Sequence, residues 1–227
     1  SLHLISGELW VQAILFFIAA LCAFFLLIGY KTRLATILSW ILLISLQSRN
    51  GMVIQGGDIV LRMMLFWSLF LPLGKIYSVD QALNQSKTAI PQKAFSMATA
   101  AILLQVVIIY VFTAILKNGT AWENGQAIYN ALQLDHFVTP IGTFFLHHFS
   151  NILSPLTTIV LWFELIGTLL FFIPIFTGQI RTMVVGLFIL FHIGLGTMLS
   201  LGFFPFVNIM AMVPFLPSWF WDRIFAK

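Results

Sequence analysis

Charge is scarce in this chain of 227 residues: Asp, Glu, Lys and Arg make up 8% of it, and residues 9–30, 94–116 and 182–221 contain none. With 60% hydrophobic residues beside so few charges, the chain cannot cover itself with a solvated surface, which excludes an ordinary soluble domain. Cysteine is nearly absent as well. Cys22 stands alone inside an apolar run, so no intrachain disulfide can form and the thiol reads as a small buried hydrophobe. There is no phosphate-cradling glycine loop, no G-x-S-x-G elbow and no H-E-x-x-H, which removes the enzyme classes built on them. The net charge of +4 comes from basic residues scattered singly rather than clustered, so nucleic acid is not an expected partner. The sequence opens at Ser1 with no basic n-region or A-x-A site, so it does not start as a signal peptide and reads as a trimmed or partial chain.

What the chain does have is long apolar stretches. A hydrocarbon core about 30 Å thick needs roughly 20 apolar residues at helical rise, and a helix satisfies the backbone amides that lipid cannot. The sequence therefore predicts an all-α, polytopic transmembrane bundle over residues 1–227, with about seven spans plus an interfacial or re-entrant segment. The spans are expected at about 9–29, 34–48, 58–72, 94–116 and 156–176, with two more within 182–221 separated by a break near Leu201-Gly202-Phe203-Phe204-Pro205. Asp58 is expected at the start of the third, where a carboxylate suits the helix dipole. Residues 75–93 read as a polar linker, and residues 118–150 are too interrupted for another span. With the start outside, Lys31, Arg33, Lys75, Lys87, Lys93, Arg181, Arg223 and Lys227 fall on the cytoplasmic side, and Arg49, Arg62 and Lys117 on or near the other. All five histidines then lie towards the outer side.

Function must be read from the few polar residues within these stretches. Lys117 closes the fourth span with Tyr110 and Thr113 on its helical face, a polar stripe leading to an amine. Its reading as a lysine snorkelling to the interface stands beside a sharper one, a partly desolvated amine able to act as a general base. His192 sits mid-span with Gly194, Gly196 and Ser200 following, a small-residue ridge that lets another helix approach, and its imidazole needs a partner in the bundle. Glu164 shares a face with Thr157, Gly167 and Thr168 and is expected to be paired, protonated or in a polar cavity. Asp58, Arg62, Arg49 and Asn50 read as a charge cluster fixing two helix ends. His147-His148 has no partners at ligand spacing, so no metal is expected. Asn118-Gly119-Thr120 and Asn84-Gln85-Ser86 match the glycan acceptor pattern, weakly in both cases.

Several blocks in order resemble the HTTM family, the membrane domain shared with vitamin K-dependent gamma-carboxylase. They are Gly29-Tyr30-Lys31-Thr32-Arg33, Ser45-Leu46-Gln47-Ser48-Arg49-Asn50, Gly56-Gly57-Asp58, Phe70-Leu71-Pro72-Leu73-Gly74 running to Tyr77-Ser78-Val79-Asp80, residues 116–125, and Phe191-His192. In the carboxylase, the segment similar to 114–125 carries the lysine taken to deprotonate vitamin K hydroquinone, followed at a fixed distance by Trp and Gly as Lys117 is by Trp122 and Gly125. The resemblance thus implies Lys117 and His192 as catalytic residues, Tyr110, Thr113 and Trp122 as cofactor-binding residues, and a reduced quinone as cofactor. Lys117 would take a proton from the quinol and oxygen would add. The basic product would then abstract a proton from a glutamate so that the carbanion takes up carbon dioxide, with His192 orienting or stabilising an oxyanion.

Two departures limit that implication. The carboxylase has a histidine shortly before its Trp-Ser-Val-Asp segment, where this chain has Gly74-Lys75-Ile76-Tyr77. It also has a large soluble region gripping the protein substrate, which this sequence does not show. The short form resembles bacterial members, implying a plasma-membrane protein with a non-cytoplasmic site, and the family often begins with one more helix. Two readings stay open: a quinone-dependent membrane enzyme, with a peptide or protein as a possible substrate, or a non-catalytic membrane protein binding lipid, quinone or a partner protein.

Overall fold

A computed structural model describes residues 1–83 and 96–225. The Asn84-Gln85-Ser86 acceptor, Lys87, Lys93, Lys227 and the expected start of the fourth span lie outside the described residues. The chain divides into two compact units, Ser1–Ile102 and Leu103–Lys227.

In the first unit, α1 (Leu9–Ile28) ends at Gly29, whose φ of 69° is left-handed and whose missing Cβ leaves room for the Ser78 side chain. The chain reverses through Lys31, also left-handed, into α2 (Thr32–Gln47), and α3 (Gly56–Ser68) follows. Neither Lys31 nor Thr32 supplies a side-chain cap for α2. Asp80, in the short helix α4 (Val79–Leu83), does so from a distance in sequence, accepting from the Lys31 amide at 2.7 Å, the Thr32 amide at 2.9 Å and the Thr32 hydroxyl at 3.0 Å. These bonds, the Thr32 amide foremost, hold the Asp80 carboxyl below the usual carboxylate range. At the other end of α2, Gln47 donates to the Asp58 carbonyl at 2.9 Å and Ser45 bonds both the amide and Nδ1 of buried His3.

Asp58 sits in the first turn of α3 as expected, but its carboxylate accepts from the Gln55 amide at 2.8 Å. Among the described residues no ion pair joins it to Arg62 or Arg49, so the expected charge cluster is a local cap instead. The reason is proximity: an amide three residues away is held at bonding distance by the helix turn itself, whereas a long arginine must be ordered to reach.

α5 (Met97–Leu116) begins at the end of the first unit and continues into the second, where the expected interrupted segment breaks into α6 (Thr120–Glu123), α7 (Ala127–Leu132) and α8 (Pro140–His148). Thr139 caps α8 by accepting from the Gly142 amide at 3.1 Å, with Pro140 at the first helical position. Two long helices follow, α9 (Ser150–Leu170) and α10 (Thr177–Met198), then α11 (Phe204–Met212) and α12 (Ser218–Phe225). Their core is Leu153, Phe171, Val184, Phe188 and Met212, all fully buried, with Phe171 stacked between Phe188 and Phe215. The break expected near 201–205 is present, with Gly202 at φ 57° and Pro205 in the first turn of α11.

Large apolar side chains cover the outsides of the long helices: Leu27 is 83% exposed, Phe17 70% and Leu190 65%. Water would not tolerate such a surface at membrane-spanning length, and lipid does, so the chain is an integral membrane protein. A helix stands at each of the seven expected span positions. Four of them, α1, α5, α9 and α10, are long and apolar enough to cross, and a fifth crossing counts residues 204–224 as one span bent by 101°. α2 at 16 residues and α3 at 13 fall short, because the apolar residues after Ser68 go into successive turns ahead of Pro72 rather than prolonging α3.

Asp80→Ala is expected to destabilise the first unit by about 1 kcal/mol at neutral pH through loss of the α2 cap. Since the folded carboxyl titrates below its unfolded value of about 3.9, its contribution is present above that value and is lost as pH falls through the folded one. Unfolding midpoints of wild type and variant in detergent should differ at neutral pH and converge on strong acidification. A difference that persists unchanged in acid contradicts the capping account.

Candidate functional site: a buried polar network in the second unit

Helical spacing puts Val106, Val107, Tyr110 and Ala114 on the buried side of α5, with Lys117 one turn beyond. The Lys117 amide is shared between the Thr113 and Ala114 carbonyls, each at 3.2 Å, so the lysine continues the helix and its stem lies along the bundle. Its ammonium forms an ion pair with Glu164 Oε2 of α9, and the two side chains are 18% and 5% exposed. The Trp122 ring of α6 covers the same ammonium at 4.9 Å from its centroid. Gly119, at φ 106°, turns the chain so that α6 folds back beside the end of α5.

Glu164 stands on a stripe of α9 with Thr157, Gly167 and Thr168, all buried. Both threonine hydroxyls donate to carbonyls of their own helix, Thr157 to Leu153 at 2.9 Å and Thr168 to Glu164 at 2.7 Å, so among the described residues the carboxylate is left to Lys117. Gly167 lets the Phe188 ring approach, and Phe188 in turn packs edge-on against Tyr110 at 4.8 Å.

A second polar group lies deeper. The Tyr110 hydroxyl is 2.5 Å from His192 Nε2 of α10 and 3.3 Å from Asn208 Oδ1 of α11, and all three side chains are buried. Asn208 Nδ2 donates to the Phe204 carbonyl at 2.8 Å. α11 comes close enough because Gly196 offers no side chain to Pro205, whose ring would otherwise stand 3.0 Å from a Cβ. Tyr110, Phe191 and Phe204 surround the imidazole.

The structure therefore places Lys117 with Trp122 and Glu164 in one group, and Tyr110 with His192 and Asn208 in another. Thr113, expected to line the approach to the amine, is exposed, and its carbonyl rather than its hydroxyl serves the site. Three residues on from Tyr110, it falls at the edge of the buried stripe. Glu164 is paired, as its depth in an apolar helix required, but spacing could not name Lys117 as partner. Asn208 was missed altogether; the only signal was an amide inside an apolar run. His148 is exposed and spent on its own helix, bonding the Phe144 carbonyl at 3.0 Å.

An all-helical membrane domain with a buried lysine–carboxylate pair beside a tyrosine–histidine–asparagine group is thus defined by the geometry. A family model, the HTTM domain, matches residues 3–219, and the chain belongs to the HTTM family. No curated protein and no solved structure matches it.

Removing one partner of a buried ion pair strands the other charge. Lys117→Met is expected to destabilise the protein by about 2–3 kcal/mol, below the 3–5 of a fully buried pair because the ammonium is partly exposed. The double variant Lys117→Met/Glu164→Leu should recover most of that loss. Thermal unfolding in detergent measures both, and additive losses in the double variant would refute the pairing.

Proposed function

We propose that the chain is an HTTM-family membrane enzyme that acts on a reduced quinone-type lipid, with Lys117 as the base. The observation that carries this reading is the placement of the Lys117 amine: at the end of a membrane-length helix, yet turned inward onto Glu164 and Trp122 rather than out to headgroups. The family's link to vitamin K-dependent gamma-carboxylase, and the Lys117…Trp122…Gly125 spacing, supply the choice of ligand. The residues present suit such a group. Phe191 and Phe204 pack edge-on against the imidazole, and His192 Nδ1 is buried with no partner among the described residues. An apolar groove of about 380 Å3, lined by Trp162, Phe163, Ile166 and Leu187 among others, runs on the outer side of α9 and α10 and suits a hydrocarbon tail.

A reduced quinone supplies a phenolic hydroxyl and two electrons for the reduction of oxygen. The chain's part is to move one proton and keep water away. Lys117 must lose its own proton before it can accept another, and Glu164 is in place to take it. With the two side chains in direct contact, the proton can pass within the pair without a solvent route. Trp122 shields the amine from water. His192, held in place by Tyr110, orients the ligand hydroxyl. The excess of Lys and Arg at the opposite helix ends supports a site facing away from the cytoplasm.

One observation favours a second reading, a non-catalytic membrane protein that binds a lipid, a quinone or a partner protein: the Lys117–Glu164 pair ties α5 to α9 and would hold the bundle together without any reaction. Quinol-dependent oxygen consumption by protein in lipid nanodiscs separates the two. Lys117→Ala, and the better-folded Lys117→Met/Glu164→Leu, should lose about 100-fold or more of the rate, the range of a general base. Equal turnover in wild type and both variants would sink the enzyme reading.

A further inference from the structure

Proton bookkeeping in the deeper group points to a function for Asn208. Its Nδ2 is committed to the Phe204 carbonyl, so its Oδ1 is the atom facing Tyr110, and the Tyr110 hydroxyl is the donor that satisfies it. A tyrosine has one hydroxyl proton. With that proton given to Asn208, the 2.5 Å contact to His192 is a bond only if Nε2–H donates to the Tyr110 oxygen. Each bond in the run from His192 to Tyr110 to Asn208 to the Phe204 carbonyl then has one proton, and the direction is set by a backbone carbonyl at its end.

The other ring nitrogen agrees. A helical histidine carrying a proton on Nδ1 can give it to the carbonyl one turn back, as His148 does to Phe144 at 3.0 Å. His192 Nδ1 makes no such bond to Phe188 and has no partner among the described residues, although His192 is only 1% exposed. A buried nitrogen with a free lone pair in so aromatic a setting costs free energy unless a ligand uses it.

We propose that Asn208 is a positioning residue which, through Tyr110, fixes His192 as the Nε2–H tautomer, so that Nδ1 is a hydrogen-bond acceptor for the hydroxyl of a bound phenol or hydroquinone. The ligand class rests on the function proposed above; the tautomer does not. The site then discriminates between the redox forms of one ligand, because the reduced form brings an O–H to Nδ1 whereas the oxidised form brings a carbonyl whose lone pairs face another lone pair. No covalent step is involved.

Nitrogen NMR of histidine-labelled protein in nanodiscs tests the tautomer without any ligand, the His192 signals being those lost in His192→Gln. Wild type should show a pyrrole-type Nε2 and a pyridine-type Nδ1, and Asn208→Leu or Tyr110→Phe should shift His192 towards a mixture of tautomers. A pyrrole-type Nδ1 in the wild type overturns the proposal. In a second arm, a short-chain prenylated hydroquinone and its dimethyl ether serve as probes. The hydroquinone should bind wild type about tenfold more tightly than the ether, the value of one hydrogen bond, and Asn208→Leu should erase most of that margin. Equal binding of the two probes to wild type also overturns it. Were Lys117 variants to turn over normally while the tautomer and the tenfold preference held, the catalytic reading would fail and this one would stand.

Discussion

An ammonium and a carboxylate set between apolar helices each forfeit hydration worth several kcal/mol, and in the second unit Lys117 and Glu164 recover it chiefly from each other. That constraint orders what surrounds them. Thr157 and Thr168 keep their hydroxyls on their own helix, Gly119 bends the chain so that Trp122 can lie over the ammonium, and α5 is held to α9 at a point where neither helix could otherwise tolerate its charge. The pair is close enough for one side chain to hand a proton directly to the other, which is the step the proposed function uses. The same interaction thus serves stability and offers a route to chemistry.

The first unit solves the problem of polar groups in an apolar chain differently. It buries no ion pair among the described residues. Ser45 meets His3, Gln47 reaches the Asp58 carbonyl, and the carboxylates of Asp58 and Asp80 cap helix ends where backbone amides are free. Each bond satisfies a group that would otherwise go without, and each fixes where a helix begins or ends. Among its described residues nothing resembles the paired charges and the Tyr–His–Asn group of the second unit.

Depth separates the two halves of the candidate site. The ion pair keeps partial contact with the exterior through Lys117, while Tyr110, His192 and Asn208 are closed in by Phe188, Phe191 and Phe204. Small residues make this packing possible: Gly167 admits Phe188, and Gly196 admits Pro205 and with it the helix that carries Asn208. A hydrogen-bonded run buried at this depth has few alternative states, since reversing one bond leaves an unsatisfied group that water cannot reach.

Helix positions were legible because hydrophobic runs and their breakers are local: Gly29, the 201–205 break and the carboxylate opening α3 are all where the sequence puts them. The residues with chemistry were legible for the same reason, since a lysine, a glutamate and a histidine are conspicuous in apolar helices, and a resemblance in ordered blocks pointed to the HTTM family. Which of the seven helices reach membrane-spanning length was less legible, because apolar composition does not distinguish a residue in a helix from one in a turn beside it. Pairing was not legible at all. Glu164 lies 47 residues from Lys117, and Asn208 lies 98 from Tyr110. Periodicity tells which face of a helix a residue occupies, and only the packing of helices decides what that face meets.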